Sequence, residues 1–224
     1  LRVEMARSHG ATVVMAKDGA AGFAEAERLQ KEEGFTFIPP FEGHGVACGT
    51  GTLGLEIARQ IPDVEAVVVS IGGGGLAGGM AHAIKLLRPS CKVFGVEPVG
   101  AAVMRESLDK GSPQRMARID TIADSLAPPF TLPYVFSLCR ASLDDVVLID
   151  DDQIAAGLAL MQRDVKLAVE PAAGAAAAAM LGPLRERLRG RSVALVVCGA
   201  NIDAETYARH LARGTASIGR LLGA

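Results

Sequence analysis

The sequence has no excess of positive charge, no CxxC pair and no apolar run long enough to cross a membrane, and each absence removes a class of function. Lys and Arg number 23 against 25 Asp and Glu, for a formal net charge of −2, so no basic field attracts a nucleic-acid backbone. The one basic cluster, Arg185 to Arg191, is interleaved with leucines and reads as the solvated face of a helix. Cys48, Cys91, Cys139 and Cys198 lie far apart, which predicts free thiols and neither a disulfide framework nor a zinc site. The apolar tract Ala172 to Leu181 is alanine-dominated and falls short of a bilayer span, and no charged-then-apolar leader opens the sequence. The expected protein is cytoplasmic, with neither nucleic acid nor membrane as a partner.

What is present is the make-up of a folded chain with a large core and one or two domains: 224 residues, 50% apolar and 21% charged. Four β-prone apolar runs, Ala11 to Met15, Ala66 to Ile71, Lys92 to Val96 and Val193 to Val197, are joined by Val146 to Ile149 as a fifth candidate. Most are continuous rather than alternating. Helical stretches separate them, over Ala20 to Glu33, Thr52 to Gln60, Ala77 to Leu87, Asp152 to Val165 and Ala172 to Arg189. That pattern predicts the α/β class, an open and mostly parallel sheet with helices on both faces. Phe37 to Gly43, with Pro39-Pro40 at its centre, reads as a connector, so residues 1–41 and 42–224 are the expected domains. The irregular, proline-punctuated stretch from Pro98 to Tyr134 is the kind of segment that lines sites in compact enzymes. No internal repeat is evident.

The chemistry-bearing feature is the end of the second run. Val67-Val68-Val69-Ser70-Ile71 gives way to Gly72-Gly73-Gly74-Gly75, and Leu76-Ala77-Gly78-Gly79 continues with helical composition. Consecutive glycines let the backbone approach a ligand, and free N–H groups at a helix start point toward an anion. A structural turn seldom needs four glycines, since each costs conformational entropy. A second glycine segment, Gly49-Thr50-Gly51-Thr52, reads as a turn with Thr52 capping the following helix. Val193 to Val197 runs into Cys198-Gly199-Ala200-Asn201, and ligands gather at the carboxyl ends of parallel strands, so this turn is expected to share a crevice with the glycine loop. Glu170, ahead of Pro171 and the alanine run, reads either as a helix-start carboxylate or as a site residue.

Two cofactors compete for the loop. Gly73-x-Gly75-x-x-Gly78 satisfies the dinucleotide fingerprint, and Glu97 ends the next strand where a ribose-binding acid would stand. That reading implies a nicotinamide-dependent oxidoreductase. Against it, such fingerprints more often open a domain, and some 70 residues precede this one.

The order GGGGLAGG, GVEP, TIAD, LAVEPAAGAA and VVCGANID resembles the fold type II pyridoxal-phosphate enzymes, in particular the threonine and serine dehydratase and serine racemase group. FIPPFEGHGVACGTGTLGLEIARQ is similar to the same family's passage from small to large domain. The likeness runs over essentially the whole chain and outweighs the dinucleotide reading. It implies a tryptophan synthase β-like fold and pyridoxal 5′-phosphate as cofactor. Gly72, Gly73, Gly74, Gly75 and Leu76 would hold the phosphate, Cys198 would face the pyridine nitrogen, Glu170 would stand on the site wall, and Asn201 would sit beside the cofactor. Ile122-Ala123-Asp124 would lay backbone against the ring, with Ser125 where glycine is usual. Glu97 and the Ala101 carbonyl would offer a monovalent or divalent cation site, thinned by Val103 where an acidic residue is usual.

The implied activity is deamination of threonine or serine to a 2-oxo acid in a homo-oligomeric parent. The family's Schiff-base lysine lies in a Ser-x-Lys-x-Arg segment, and its substrate loop in a Ser-x-Gly-Asn-His segment; neither occurs here. Lys17, Lys31, Lys85, Lys92, Lys110 and Lys166 all stand in polar surroundings unlike that segment. The chain is therefore expected to be about the C-terminal two-thirds of its parent and inactive alone, a relative that lacks the lysine naturally being the alternative. Asp203 to Leu211 is the expected last helix and Ala212 to Ala224 a tail, leaving no room for a regulatory domain and favouring a catabolic or racemase-like parent.

Overall fold

Ala66–Ser70 is apolar at every position but its last and buried at all five, the condition of a strand covered on both faces. In the computed structural model, which describes residues 2–17 and 19–223, this strand, β1, lies near the middle of a four-stranded sheet. Its neighbours are β2 (Lys92–Pro98), β3 (Asp145–Ile149) and β4 (Val193–Leu195), in the order β3-β2-β1-β4. All pairings are parallel, with Val68 opposite Phe94 and Leu195, and Gly95 opposite Val146.

Alternate residues of the strands feed two cores. Val67, Val69, Val93 and Ala194 pack with Met80, Ile84 and Phe136 from α4 (Gly75–Leu87) and α6 (Pro133–Ser142), alongside α3 (His44–Gln60). Ala66, Val68, Phe94 and Val96 pack on the other face with Ile154, Ala175, Ala176 and Leu221. Those belong to α7 (Asp151–Leu160), α8 (Pro171–Leu181) and α10 (Ala204–Leu222). Two short helices complete this part, α5 (Val103–Lys110) and α9 (Arg185–Leu188). No described helix is long and apolar enough to cross a membrane.

The chain divides into two compact units, Leu1–Pro40 and Phe41–Ala224. The first holds α1 (Arg2–Ser8) and α2 (Gly19–Glu33), with Phe23 edge-on to Phe37 at 6.4 Å. The strand expected at Ala11 to Met15 does not form. No described strand of this unit lies alongside to pair its backbone, and Val14 and Met15 are exposed.

Three helix boundaries also differ from expectation. α3 begins at His44, so Gly49 to Thr52 lie inside a helix rather than in a turn, and Thr52 donates to the Gly49 carbonyl instead of capping. Close packing of α3 on α4 needs glycine at two other positions: a Cβ on Gly54 would stand 2.5 Å from the Met80 carbonyl, and one on Gly79 would collide with Thr50. The helix expected over Ala172 to Arg189 breaks after Leu181, where Gly182-Pro183 interrupts the ladder. Conversely, α10 continues to Leu222, because Leu211, Ile218 and Leu221 pack inward and Gly214 lets its backbone approach Ala155. Of the expected tail, only Ala224 lies outside the described residues.

Candidate functional site

Between the end of β1 at Ser70 and α4 the chain turns sharply, with Gly74 at φ 104, a left-handed value that favours glycine. Among the described residues the backbone N–H groups of Gly72 to Leu76 meet no protein acceptor. α4 adds the positive end of its dipole. Adjacent unpaired donors at a helix start form an anion cradle.

The loop is braced from behind. The Phe41 ring occupies the space a side chain on Gly73 would need, and it packs against Phe130 at 5.8 Å. Phe130 lies under the Arg115 guanidinium at 4.5 Å. Thr131 Oγ1 donates to the Gly73 carbonyl across 2.9 Å, Thr50 Oγ1 to the Gly75 carbonyl across 2.9 Å, and Cys139 Sγ to the Gly74 carbonyl across 3.6 Å. Burial pushes the Cys139 thiol up to about 12, with the nearby Glu97 carboxyl adding to the shift. Ser125 and Pro128 pack against Gly72, so the segment after Ile122-Ala123-Asp124 does border the loop. The sequence flagged neither Thr131 nor Phe41 as a loop contact; their pairing with residues some 30 to 60 positions away leaves no local signal.

At the edge of the sheet, an apolar groove of about 530 Å³ runs along β4 from Val193 to Cys198 and is walled by Leu53, Ile57, Ile61 and Leu76. Leu76 of the loop and Cys198 thus line one groove. Desolvation, seconded by the negative charge of Glu170, pushes the Cys198 thiol up to about 11, so it stays protonated at neutral pH. Glu170 is buried; its N–H donates to the Gly199 carbonyl across 3.0 Å, and its Oε2 accepts from the Asn201 N–H across 3.1 Å. Ser70 Oγ donates to the Ala172 carbonyl across 2.6 Å, tying the end of β1 to the start of α8. Glu170, Cys198 and Asn201 are therefore one cluster at the same end of the sheet as the loop.

Glu97 and Ala101 stand apart from it. Glu97 is fully buried, and its two oxygens accept the Met104 and Arg105 N–H groups at the start of α5, each across 2.8 Å. Desolvation outweighs those bonds and pushes the carboxyl up to about 8. A carboxylate held this way does not reach a ribose, which removes the support Glu97 lent to the dinucleotide reading. Ala101 is buried in the turn after β2, and no group of three or more His, Cys, Asp or Glu among the described residues is arranged to hold a metal.

Of the lysines in residues 41–224, Lys85, Lys92, Lys110 and Lys166, none borders the groove. Lys85 and Lys92 are bound to Asp144 across 2.6 and 2.8 Å, at the amino end of β3 and so at the far end of the sheet from the loop. Lys166 donates to the Arg163 carbonyl.

Residues 1–199 match the family model of the pyridoxal-phosphate dependent enzymes. The chain belongs to this family. It is 45% identical over 213 residues to a phenylserine dehydratase of Ralstonia pickettii, covering 95% of this chain and 65% of that one. It is 34% identical over 220 residues to an L-threonine ammonia-lyase of Thermotoga maritima, covering 98% and 54%. The processed form of threonine deaminase isoform 2 from Solanum lycopersicum superposes with a TM-score of 0.88 at 32% identity, over 95% of this chain and 62% of that one. The chain thus spans less than two thirds of these relatives. The family's cofactor carries a phosphate ester, and the unpaired amides of Gly72 to Leu76 are donors of the kind it needs. The described residues of the loop fit its phosphate, and Lys85, Lys92, Lys110 and Lys166 do not line the groove that Leu76 and Cys198 share.

Proposed function

We propose that the chain holds pyridoxal 5′-phosphate between the glycine loop and Cys198 and forms the cofactor domain of an ammonia-lyase. Its substrate would be a small β-hydroxy amino acid, threonine, serine or a 3-aryl serine, converted to a 2-oxo acid by loss of water and ammonia. The single observation that carries this is the run of acceptor-free amides at Gly72 to Leu76, at a loop whose Leu76 lines the same groove as Cys198. The named activities of the similar dehydratases and ammonia-lyases support the substrate class.

When bound, the cofactor supplies an electron sink for bond cleavage at the α-carbon. In this reading the amides of residues 72–76 anchor its phosphate, and α4 adds a favourable dipole. The Cys198 thiol, protonated at neutral pH, would offer the pyridine nitrogen a weak hydrogen-bonding partner and no charge that would keep that nitrogen protonated. Glu170 fixes the Cys198-to-Asn201 turn by accepting the Asn201 N–H. The lysine that would bond the cofactor and move the α-proton is not supplied by Lys85, Lys92, Lys110 or Lys166, none of which lines the groove.

A thermal-shift comparison tests the assignment. Pyridoxal 5′-phosphate raises the unfolding midpoint, as any ligand of the native state does, and NAD leaves it unchanged. A shift with NAD and none with pyridoxal 5′-phosphate would overturn it.

A further inference from the structure

The carbonyls of Gly74 and Gly75 are fixed by α4 itself: the Gly74 carbonyl accepts the Gly78 N–H across 2.8 Å, and Gly75 is the first helical residue. The Gly73 carbonyl lies outside the helix. Its described partner is the hydroxyl of Thr131, buried and 2.9 Å away. A trans peptide is planar, so its C=O and the following N–H point in opposite directions; the protein has no cis peptide among its described residues. Whatever holds the Gly73 carbonyl therefore aims the Gly74 N–H.

We infer that Thr131 is a positioning residue, whose hydroxyl orients the Gly73–Gly74 peptide so that the Gly74 N–H serves the phosphate. Thr131 is itself held rigidly. It follows Phe130, which bridges to Arg115 and packs on Phe41, and it precedes Leu132, the cap of α6. The Phe41 ring fills the space where a Gly73 side chain would stand, and Gly74 at positive φ has no Cβ to resist rotation of the peptide. Without the hydroxyl, the peptide has no described side-chain bond to keep it from turning its carbonyl, instead of its N–H, toward an anion.

This inference rests on the proposed phosphate site, and the test separates the two. Pyridoxine 5′-phosphate and pyridoxine lack an aldehyde and form no imine with surface lysines; calorimetric titration of each gives the increment in affinity due to the phosphate alone. In the Thr131→Val protein, of the same shape without the hydroxyl, the phosphate increment falls about tenfold, as for one lost charge-assisted hydrogen bond. Pyridoxine binding is unchanged and Thr131→Ser restores the increment. A folded T131V protein with the full increment overturns the inference and leaves the site standing. A wild-type chain with no phosphate increment overturns both. Should T131V not fold, the wild type decides by NMR: the Thr131 hydroxyl proton exchanges slowly with water and more slowly with pyridoxine 5′-phosphate bound, and free exchange in both states refutes the role.

Discussion

The Glu170 carboxylate accepts the Asn201 N–H across 3.1 Å while the Glu170 N–H donates to the Gly199 carbonyl across 3.0 Å. This reciprocal pair joins the start of α8 to the turn that carries Cys198. It also puts a negative charge beside a thiol already raised by desolvation. Glu170→Gln keeps the side chain's shape and removes the charge, so the Cys198 pKa drops below its value of about 11 while desolvation keeps it above 9.0. The pH dependence of Cys198 alkylation, followed by peptide mapping, reads this directly; an unchanged midpoint would show that the carboxylate does not act on the thiol.

The glycines of α3 differ in what they meet. Gly49 faces open space within the helix, whereas a Cβ at Gly54 meets backbone of α4. Gly49→Ala therefore stabilises the protein by about 0.5–1 kcal/mol, and Gly54→Ala destabilises it by about 1–3 kcal/mol. Denaturant unfolding gives both values. A destabilising Gly49→Ala would return residues 49–52 to a turn.

Asp144 gathers the Lys85 and Lys92 ammonium groups and the Val93 N–H. Burial alone would raise its carboxyl, but these bonds prevail and hold it below 3.8. Because the folded-state value is depressed, the stability it adds is complete above the unfolded value and is lost as the pH falls through the lower folded one. Asp144→Asn lowers stability at pH 7 by about 1–2 kcal/mol, and the gap between the two proteins narrows as the pH drops below 3.8. Unfolding curves at pH 7 and pH 3 check it; a gap that widens in acid contradicts the assignment.

Catalysis should be missing although cofactor binding is present. With saturating pyridoxal 5′-phosphate, the 224-residue chain releases no ammonia from threonine, serine or phenylserine beyond what the free cofactor releases, because none of Lys85, Lys92, Lys110 and Lys166 lines the groove. A coupled ammonia assay suffices, and sustained turnover would point to an amine overlooked among the six lysines.

Much of this was legible in the chain. Continuous apolar runs at Ala66 to Ile71 and Lys92 to Val96, separated by helical stretches, indicated strands covered on both faces, and four glycines after one of them marked the loop. What misled was composition taken without context. Ala11 to Met15 has β propensity, yet a strand exists only through a partner. Gly49 and Gly51 looked like a turn because glycine and threonine are weak helix formers, whereas the helix that carries them is held by its packing on α4 at Gly54, a tertiary fact. The end of α10 looked like a tail, although Leu211, Ile218 and Leu221 recur at helical spacing and held the signal. Thr131 had none, since its meaning lies in a carbonyl 58 residues earlier in the chain.

The central claim is that the amides of Gly72 to Leu76 receive a phosphate ester whose aromatic ring reaches Cys198. Titrating ¹⁵N-labelled protein with pyridoxine 5′-phosphate tests it most directly. The account predicts saturable downfield shifts of the Gly72 to Leu76 amides, accompanied by Cys198 to Asn201, and weaker changes in the loop with pyridoxine. Shifts confined to other segments, or a glycine loop that does not respond at saturation, would contradict it.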